Sequence, residues 1–134
     1  MECVIQGKIL IVPDGTVKIG FKDICNYIFD NSIEEILLPS TLEIIENNTF
    51  FDFHEIKKIN IPACVTEIGS QAFWGLDQIE ELIIPNTVER VKKHAFCNIS
   101  RCKLVIVGEP QSIPNRWDKD FAVNVKEICF VSKL

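Results

Sequence analysis

IEELIIP, residues 79–85, decides the fold because the chain writes the same pattern twice more, as IEEILLP at 33–39 and IKKINIP at 56–62. Each copy ends in a proline, and the three prolines are 23 residues apart. A constant period of this length indicates a solenoid, in which stacked copies of one structural unit share a core. The apolar pattern returns as GKILIVP at 7–13, CKLVIVG at 102–108 and VKEICFV at 125–131. Because 26 residues separate the prolines at 13 and 39, the first turn carries a three-residue insertion.

The segments between the strands repeat as well, with apolar residues at the third, sixth, eleventh and fourteenth positions after each proline. These residues are Leu42, Val65 and Val88; Ile45, Ile68 and Val91; Phe50, Phe73 and Phe96; and Phe53, Leu76 and Ile99. A unit of this size cannot close a core alone, so we expect the side chains to point inward and pack on their equivalents in neighbouring turns. The predicted fold is an α/β-type repeat, mostly β, of about five turns, with a parallel sheet on one face and short turns or helical segments between strands.

IGSQAF at 68–73 and VKKHAF at 91–96, together with IIENNTF at 44–50, resemble the repeat consensus of the BspA-like class of leucine-rich repeats. The resemblance implies a leucine-rich-repeat solenoid and supplies no catalytic residue. Members of that family often lie on bacterial or protist surfaces, where they are implicated in adhesion and recognition. We expect a single domain over 1–134, with an N-terminal hairpin cap at 1–15, regular repeats at 16–108, and a modified last repeat and terminal strand at 109–134.

The composition is that of a folded, soluble chain, with 134 residues, 47% hydrophobic and 25% charged. A net charge of −5 argues against a general affinity for nucleic acid, which depends on clustered Lys and Arg. The start, MECVIQGKILIVPDG, lacks the basic region and continuous apolar run of a signal peptide, and no stretch is long enough to span a membrane. We therefore expect a cytoplasmic protein, or a secreted or cell-surface one if the sequence is a segment of a longer chain.

Enzymatic chemistry is not expected from the sequence. The six cysteines include no CxxC pair, and reduced, mostly buried thiols are the favoured interpretation over disulfides. His94 and Cys97 lie close enough to imagine a nucleophile and base, yet Cys97 directly follows the inward Phe96, which favours a structural role. We predict no catalytic residue, no cofactor and no metal site.

The strand register sorts side chains between the two faces of the predicted sheet, because alternate residues point to opposite sides. One outward row is predicted to be Ile9, Glu35, Lys58, Glu81, Leu104 and Glu127. The other is predicted to be Ile11, Leu37, Asn60, Ile83, Ile106 and Cys129. The second row is almost entirely apolar, so we expect a partner, a second copy or the chain's own tail to cover it. The alternative is that residues of high β-propensity are simply tolerated there.

A flanking row of charged residues alternates in sign over five successive strands, which favours pinning of the strand register over ligand binding. It consists of Lys8, Glu34, Lys57, Glu80, Lys103 and Lys126.

The predicted function is a non-enzymatic module for protein recognition that binds through the outward sheet face. Apolar contacts are expected from Ile11, Leu37, Ile83 and Ile106, and orienting contacts from Asn60, Glu35, Lys58 and Glu81. Two alternatives remain: a structural unit that forms homodimers through the apolar row or the terminal strand, or an adhesin-type segment of a surface protein. The identity of a partner does not follow from the sequence.

Overall fold

The structure is a computed structural model that describes residues 1–113 and 117–133. Within these residues the chain forms eleven strands, one α-helix, α1 (Phe21–Asp30), and a short 3₁₀ helix at Pro110–Ser112. The strands are β1 (Val4–Gln6), β2 (Ile9–Ile11), β3 (Lys18–Ile19), β4 (Glu35–Leu37), β5 (Ile44–Ile45), β6 (Lys58–Ile59), β7 (Glu67–Ile68), β8 (Glu81–Ile84), β9 (Arg90–Val91), β10 (Phe96–Val107) and β11 (Ala122–Val131). Residues 114–116 and 134, which belong to the predicted modified last repeat, lie outside the described residues.

The strands line two sides of a solenoid. One side carries the repeated heptapeptides, in the order β1-β2-β4-β6 and then β8-β10-β11, and the other carries the two-residue strands β3-β5-β7-β9. Every pairing is parallel except the first, between β1 and β2. Parallel pairing follows from the repeat, because each turn returns the chain to the same side in the same direction. The predicted mostly β solenoid with little helix is confirmed.

A β-hairpin begins the solenoid. Gln6 pairs with Ile9, which leaves Gly7 and Lys8 as the two turn residues. Gly7 has a φ of 60°, in the left-handed region that two-residue hairpin turns require and glycine adopts without strain. The main-chain N–H of Cys3 donates a hydrogen bond of 3.3 Å to the Tyr27 hydroxyl, so the hairpin also contacts α1.

Helix α1 occupies the longer first turn, where later repeats have irregular turns. Phe21, Ile24 and Ile28 follow the spacing of one helical face, and both isoleucines are buried in the core. At its start, the Asp23 carboxylate accepts a hydrogen bond of 2.8 Å from the N–H of Gly20. The three-residue insertion therefore gives a ten-residue helix, an element that the general expectation of helical segments did not locate.

The core is built from the predicted columns. All twelve predicted column residues between the strands are buried, none with more than 2% of its surface exposed. The phenylalanine column is continuous, with ring centroids 5.0 Å apart from Phe50 to Phe73 and again from Phe73 to Phe96. Main-chain hydrogen bonds join the same turns, such as that of 2.8 Å from the Phe73 N–H to the Ala95 carbonyl. Packing and backbone bonding thus couple each turn to the next.

Left-handed backbone conformations recur at two positions in each turn. The ninth residue after the proline has a φ near 60° in three successive repeats, and the thirteenth has a positive φ in the same three. These residues are Asn48, Gln71 and His94, and Asp52, Gly75 and Asn98. Asn, Asp and Gly tolerate this conformation better than other residues, which explains most of these choices. His94 therefore lies at a turn position that the fold itself requires.

β10, which contains the fifth of the repeated strand segments, CKLVIVG, does not have the predicted register. Leu104 pairs with Leu82 and Ile106 with Ile84, so both face the core, and they are 0% and 3% exposed. The prediction that Leu104 and Ile106 face outward is wrong, and Val105 takes the outward position beside Ile83. The register of β10 is irregular between Ile99 and Lys103. Beyond this point Cys102 and Leu104 are successive inward residues with one residue between them, whereas the equivalent Ile79 and Leu82 have two between them.

Candidate protein-interaction surface

The outward row that the structure forms is here called the outward stripe; it consists of Ile11, Leu37, Asn60, Ile83, Val105 and Cys129. Its most exposed apolar member is Leu37, at 37%, whereas Ile11, Ile83 and Cys129 are half-buried. Val105 is 6% exposed although it lies outside the core cluster. The stripe is apolar as predicted, but its accessible apolar surface lies mainly at Leu37 and its neighbours.

Asn60 lies at a break in the sheet. Its side-chain amide exchanges two hydrogen bonds with the main chain of Leu38, accepting at 2.8 Å through Oδ1 and donating at 3.0 Å through Nδ2. In the described part of the chain, no main-chain ladder joins β6 to β8, so β6 is the last strand of the first half of the sheet. The stripe therefore has two parts: Ile11 with Leu37, and Ile83 with Val105 and Cys129. The amide of Asn60 is thus engaged within the chain. Its predicted orienting role in binding stays a prediction.

A row of charged side chains runs beside the stripe. With the observed register it reads Ile9, Glu35, Lys58, Glu81, Lys103 and Glu127, so the sign alternates from the second strand onward. Lys58 and Glu81 are exposed and Glu35 is half-buried. Among the described residues, none of these three side chains has an oppositely charged group within 4.0 Å. Their charges are thus free to meet those of a partner.

The flanking row behaves differently, because it makes ion pairs within the chain. Glu34 binds Lys8 at 3.1 Å and Lys57 at 3.4 Å, which links three successive strands. The hydrogen bond from Lys8 is the main cause that lowers the pKa of the Glu34 carboxyl. The predicted alternation is present in these three strands. The placement of Lys103 in this row is wrong, because β10 pairs Lys103 with Glu81.

Cys97 and Cys102 are buried in the structure. Burial raises the pKa of the Cys102 thiol to about 12 and also raises that of Cys97.

Across residues 1–113 and 117–133, no three His, Cys, Asp or Glu side chains come together as a metal-binding group. In the same residues no helix is long and apolar enough to cross a membrane.

Thiol reactivity should follow burial. Because the thiolate is the reactive form, we expect N-ethylmaleimide at about pH 8 to modify exposed Cys64 rapidly and buried Cys102 only after denaturation. Peptide mass mapping over time measures the two rates, and Cys64→Ser should remove the fast phase. Equal native rates at the two sites would contradict the packing of Cys102 in β10.

Comparison with known proteins agrees with this architecture. The family model described as the BspA type leucine rich repeat region matches residues 13–117 in six copies. A crystal structure of a leucine-rich repeat protein from Bacteroides ovatus ATCC 8483 is similar with a TM-score of 0.52 and 22% sequence identity. The match covers 78% of this chain and 34% of that one, so this chain spans about a third of its length. A search of curated proteins finds no significant match.

Proposed function

Because the chain belongs to the BspA type of leucine-rich repeat proteins, we propose that it is a non-enzymatic module that binds a partner protein through its outward sheet face. The observation that carries the proposal is the surroundings of Leu37. This leucine is 37% exposed beside half-buried Ile11. The nearby Glu35 and Lys58 make no ion pair within 4.0 Å among the residues that the structure describes. An apolar centre with a charged rim is the usual anatomy of a protein interface.

Buried side chains anchor the strands beneath this surface, which favours recognition without a large loss of entropy on binding. Leu10 and Ile36 alternate with the outward residues and are fully buried. They hold β2 and β4 against the core, so Ile11 and Leu37 are presented in fixed positions. Rigid presentation of contact residues raises affinity by reducing the ordering cost of association.

The charged row supports specificity for a protein partner. Glu35, Lys58 and Glu81 alternate in sign along neighbouring strands. A complementary surface must therefore present a positive, a negative and a positive charge at the matching positions. A ligand with a single sign of charge would meet repulsion at every second strand. Charges of this kind steer encounter and reject wrong partners more than they add affinity.

Substitution on the outward face should abolish binding. A binder selected against the wild-type protein from a displayed protein library should lose at least about 10-fold in affinity for Leu37→Asp and about 100-fold for Leu37→Asp with Ile83→Asp. The reason is that a carboxylate would be desolvated at the centre of the contact. Isothermal titration calorimetry measures the affinities, and circular dichroism confirms that the fold is retained.

Val17→Asp is the matched control, because Val17 is 46% exposed and precedes β3 on the other side of the solenoid. Its affinity should equal that of the wild type. Undiminished binding by the Leu37→Asp variant would show that the outward face is not the site.

A further inference from the structure

The apolar column of the solenoid is open at β11. Leu104 and Ile106 in β10 are 0% and 3% exposed because β8 and β11 lie on both sides of them. In β11, Ile128 and Phe130 occupy the same two columns, yet Ile128 is 40% exposed and Phe130 only half-buried. Within residues 1–113 and 117–133, no further turn packs on these two inward positions as β8 and β11 pack on their equivalents.

The backbone of β11 is open along the same edge. The Gly108 N–H donates a hydrogen bond of 2.7 Å to the Val131 carbonyl, so the polar groups of Val131 face β10. Because backbone groups alternate along a strand, those of Ile128 and Phe130 face away from β10. In the described chain β11 pairs with β10 alone, and its ten residues make it far longer than β1, the three-residue strand at the other end. A long open edge of this kind accepts another strand.

The charge of this end permits a second copy to approach. Residues 117–133 contain three acidic side chains, Asp118, Asp120 and Glu127, and three basic ones, Lys119, Lys126 and Lys133. Their formal charges cancel, whereas the whole chain carries −5. The excess negative charge therefore lies elsewhere, and two copies can meet here without net repulsion between their ends.

We propose that β11 pairs antiparallel with β11 of a second copy, about a two-fold axis at Ile128. A two-fold axis through a continuous sheet places one residue opposite itself. Both Ile128 and Phe130 must find a pairing residue within Ala122–Val131 of the second copy. Four positions of the axis satisfy this condition: Lys126, Glu127, Ile128 and Cys129. The first two place like charges directly opposite each other, which is unfavourable.

The axis at Ile128 uses more of the strand than the axis at Cys129, pairing residues 125–131 rather than 127–131. It sets Ile128 against Ile128, Lys126 against Phe130 and Glu127 against Cys129. No like charges are opposed in this register. It continues the sheet as β8-β10-β11 from one copy to the next and brings the two open columns together.

A disulfide tests the register directly. In this dimer residue 127 and Cys129 of the second copy form a non-hydrogen-bonded pair, with Cα atoms about 4.5 Å apart, which is within disulfide reach. Under mild oxidation we expect the Glu127→Cys variant to give a covalent dimer on a non-reducing gel. All variants carry Cys64→Ser, because Cys64 is exposed and would cross-link copies independently of β11. Without Glu127→Cys this background should give no covalent dimer, because the two Cys129 residues lie on opposite sides of the axis. Glu127→Cys with Cys129→Ser should lose the cross-link; a cross-link that persists overturns the register.

The mass in solution tests the dimer itself under reducing conditions. Light scattering over a concentration series should give twice the chain mass for the wild type. Ile128→Asp, which opposes two carboxylates at the axis, should raise the dissociation constant at least about 100-fold. Val17→Asp is the matched control, since Val17 has similar exposure, 46%, but precedes β3, which is distant from β11 in the stack; it should remain dimeric. A wild-type monomer at all concentrations overturns the proposal, as does open-ended growth beyond two copies.

Discussion

Replacing Phe73 by alanine is expected to lower the free energy of unfolding by about 3–5 kcal/mol. Phe73 is fully buried, and its ring lies between those of Phe50 and Phe96 with both centroid distances at 5.0 Å. The substitution removes contacts to two neighbouring turns at once and leaves a cavity that the backbone ladders prevent from closing. Urea denaturation followed by circular dichroism measures the change.

Phe29→Ala is the control for this prediction, because Phe29 is 64% exposed on α1 and packs its ring against Phe21 and the buried Phe53 from the solvent side. Its cost should stay below about 1.5 kcal/mol. Since Phe73 joins adjacent turns, its loss should also broaden the transition, as expected when coupling between repeats weakens. Equal destabilisation by the two substitutions would contradict the continuous phenylalanine column.

The second large effect is expected at Gly69, where alanine should lower the free energy of unfolding by about 1–3 kcal/mol. A Cβ at this position would lie 2.6 Å from the main-chain carbon of Glu46 and would also contact the Asn47 nitrogen. The main chain of Gly69 cannot move away easily, because its N–H donates a hydrogen bond of 2.8 Å to the Ile45 carbonyl. Relief of the clash must therefore separate two turns. The shift in the urea midpoint measures this cost.

Gly20→Ala is the matched control, since Gly20 occupies the same position of the first turn, seven residues after its proline. A Cβ on Gly20 would meet only the end of the Glu46 side chain, with Oε1 at 2.7 Å, and that flexible carboxylate can turn aside. We expect a change within about 0.5 kcal/mol. If Gly20→Ala and Gly69→Ala have the same effect, close approach of the main chain at Gly69 does not limit stability.

The fold was predictable because its signal is a period. Residues at fixed distances from Pro39, Pro62 and Pro85 must occupy equivalent places in a stack, and the sequence therefore suffices to identify the buried columns. The period could not show where the chain departs from it. The register of β10 shifts between Ile99 and Lys103, and beyond that shift Leu104 and Ile106 face inward. The strict alternation of Cys102, Leu104 and Ile106 was the available signal.

The candidate surface was less predictable than the core. Alternation along a strand assigns a side chain to a face but not the extent to which neighbours cover it. Val105 is 6% exposed on the outward stripe while Leu37 is 37% exposed on the same stripe. The amide of Asn60 also binds the main chain of Leu38, a contact between two neighbouring turns. Such features depend on tertiary contacts that a single repeat does not encode.

The measurement that tests the account most directly is the affinity of one selected binder for the double variant Leu37→Asp with Ile83→Asp, relative to Val17→Asp, in the same calorimetric series. Binding through the outward face predicts that the double variant is at least about 100-fold weaker, because its carboxylates would be buried against the partner. The contrary result is equal affinity of the two variants, or loss of binding with Val17→Asp alone. Either would place the contact on another side of the solenoid.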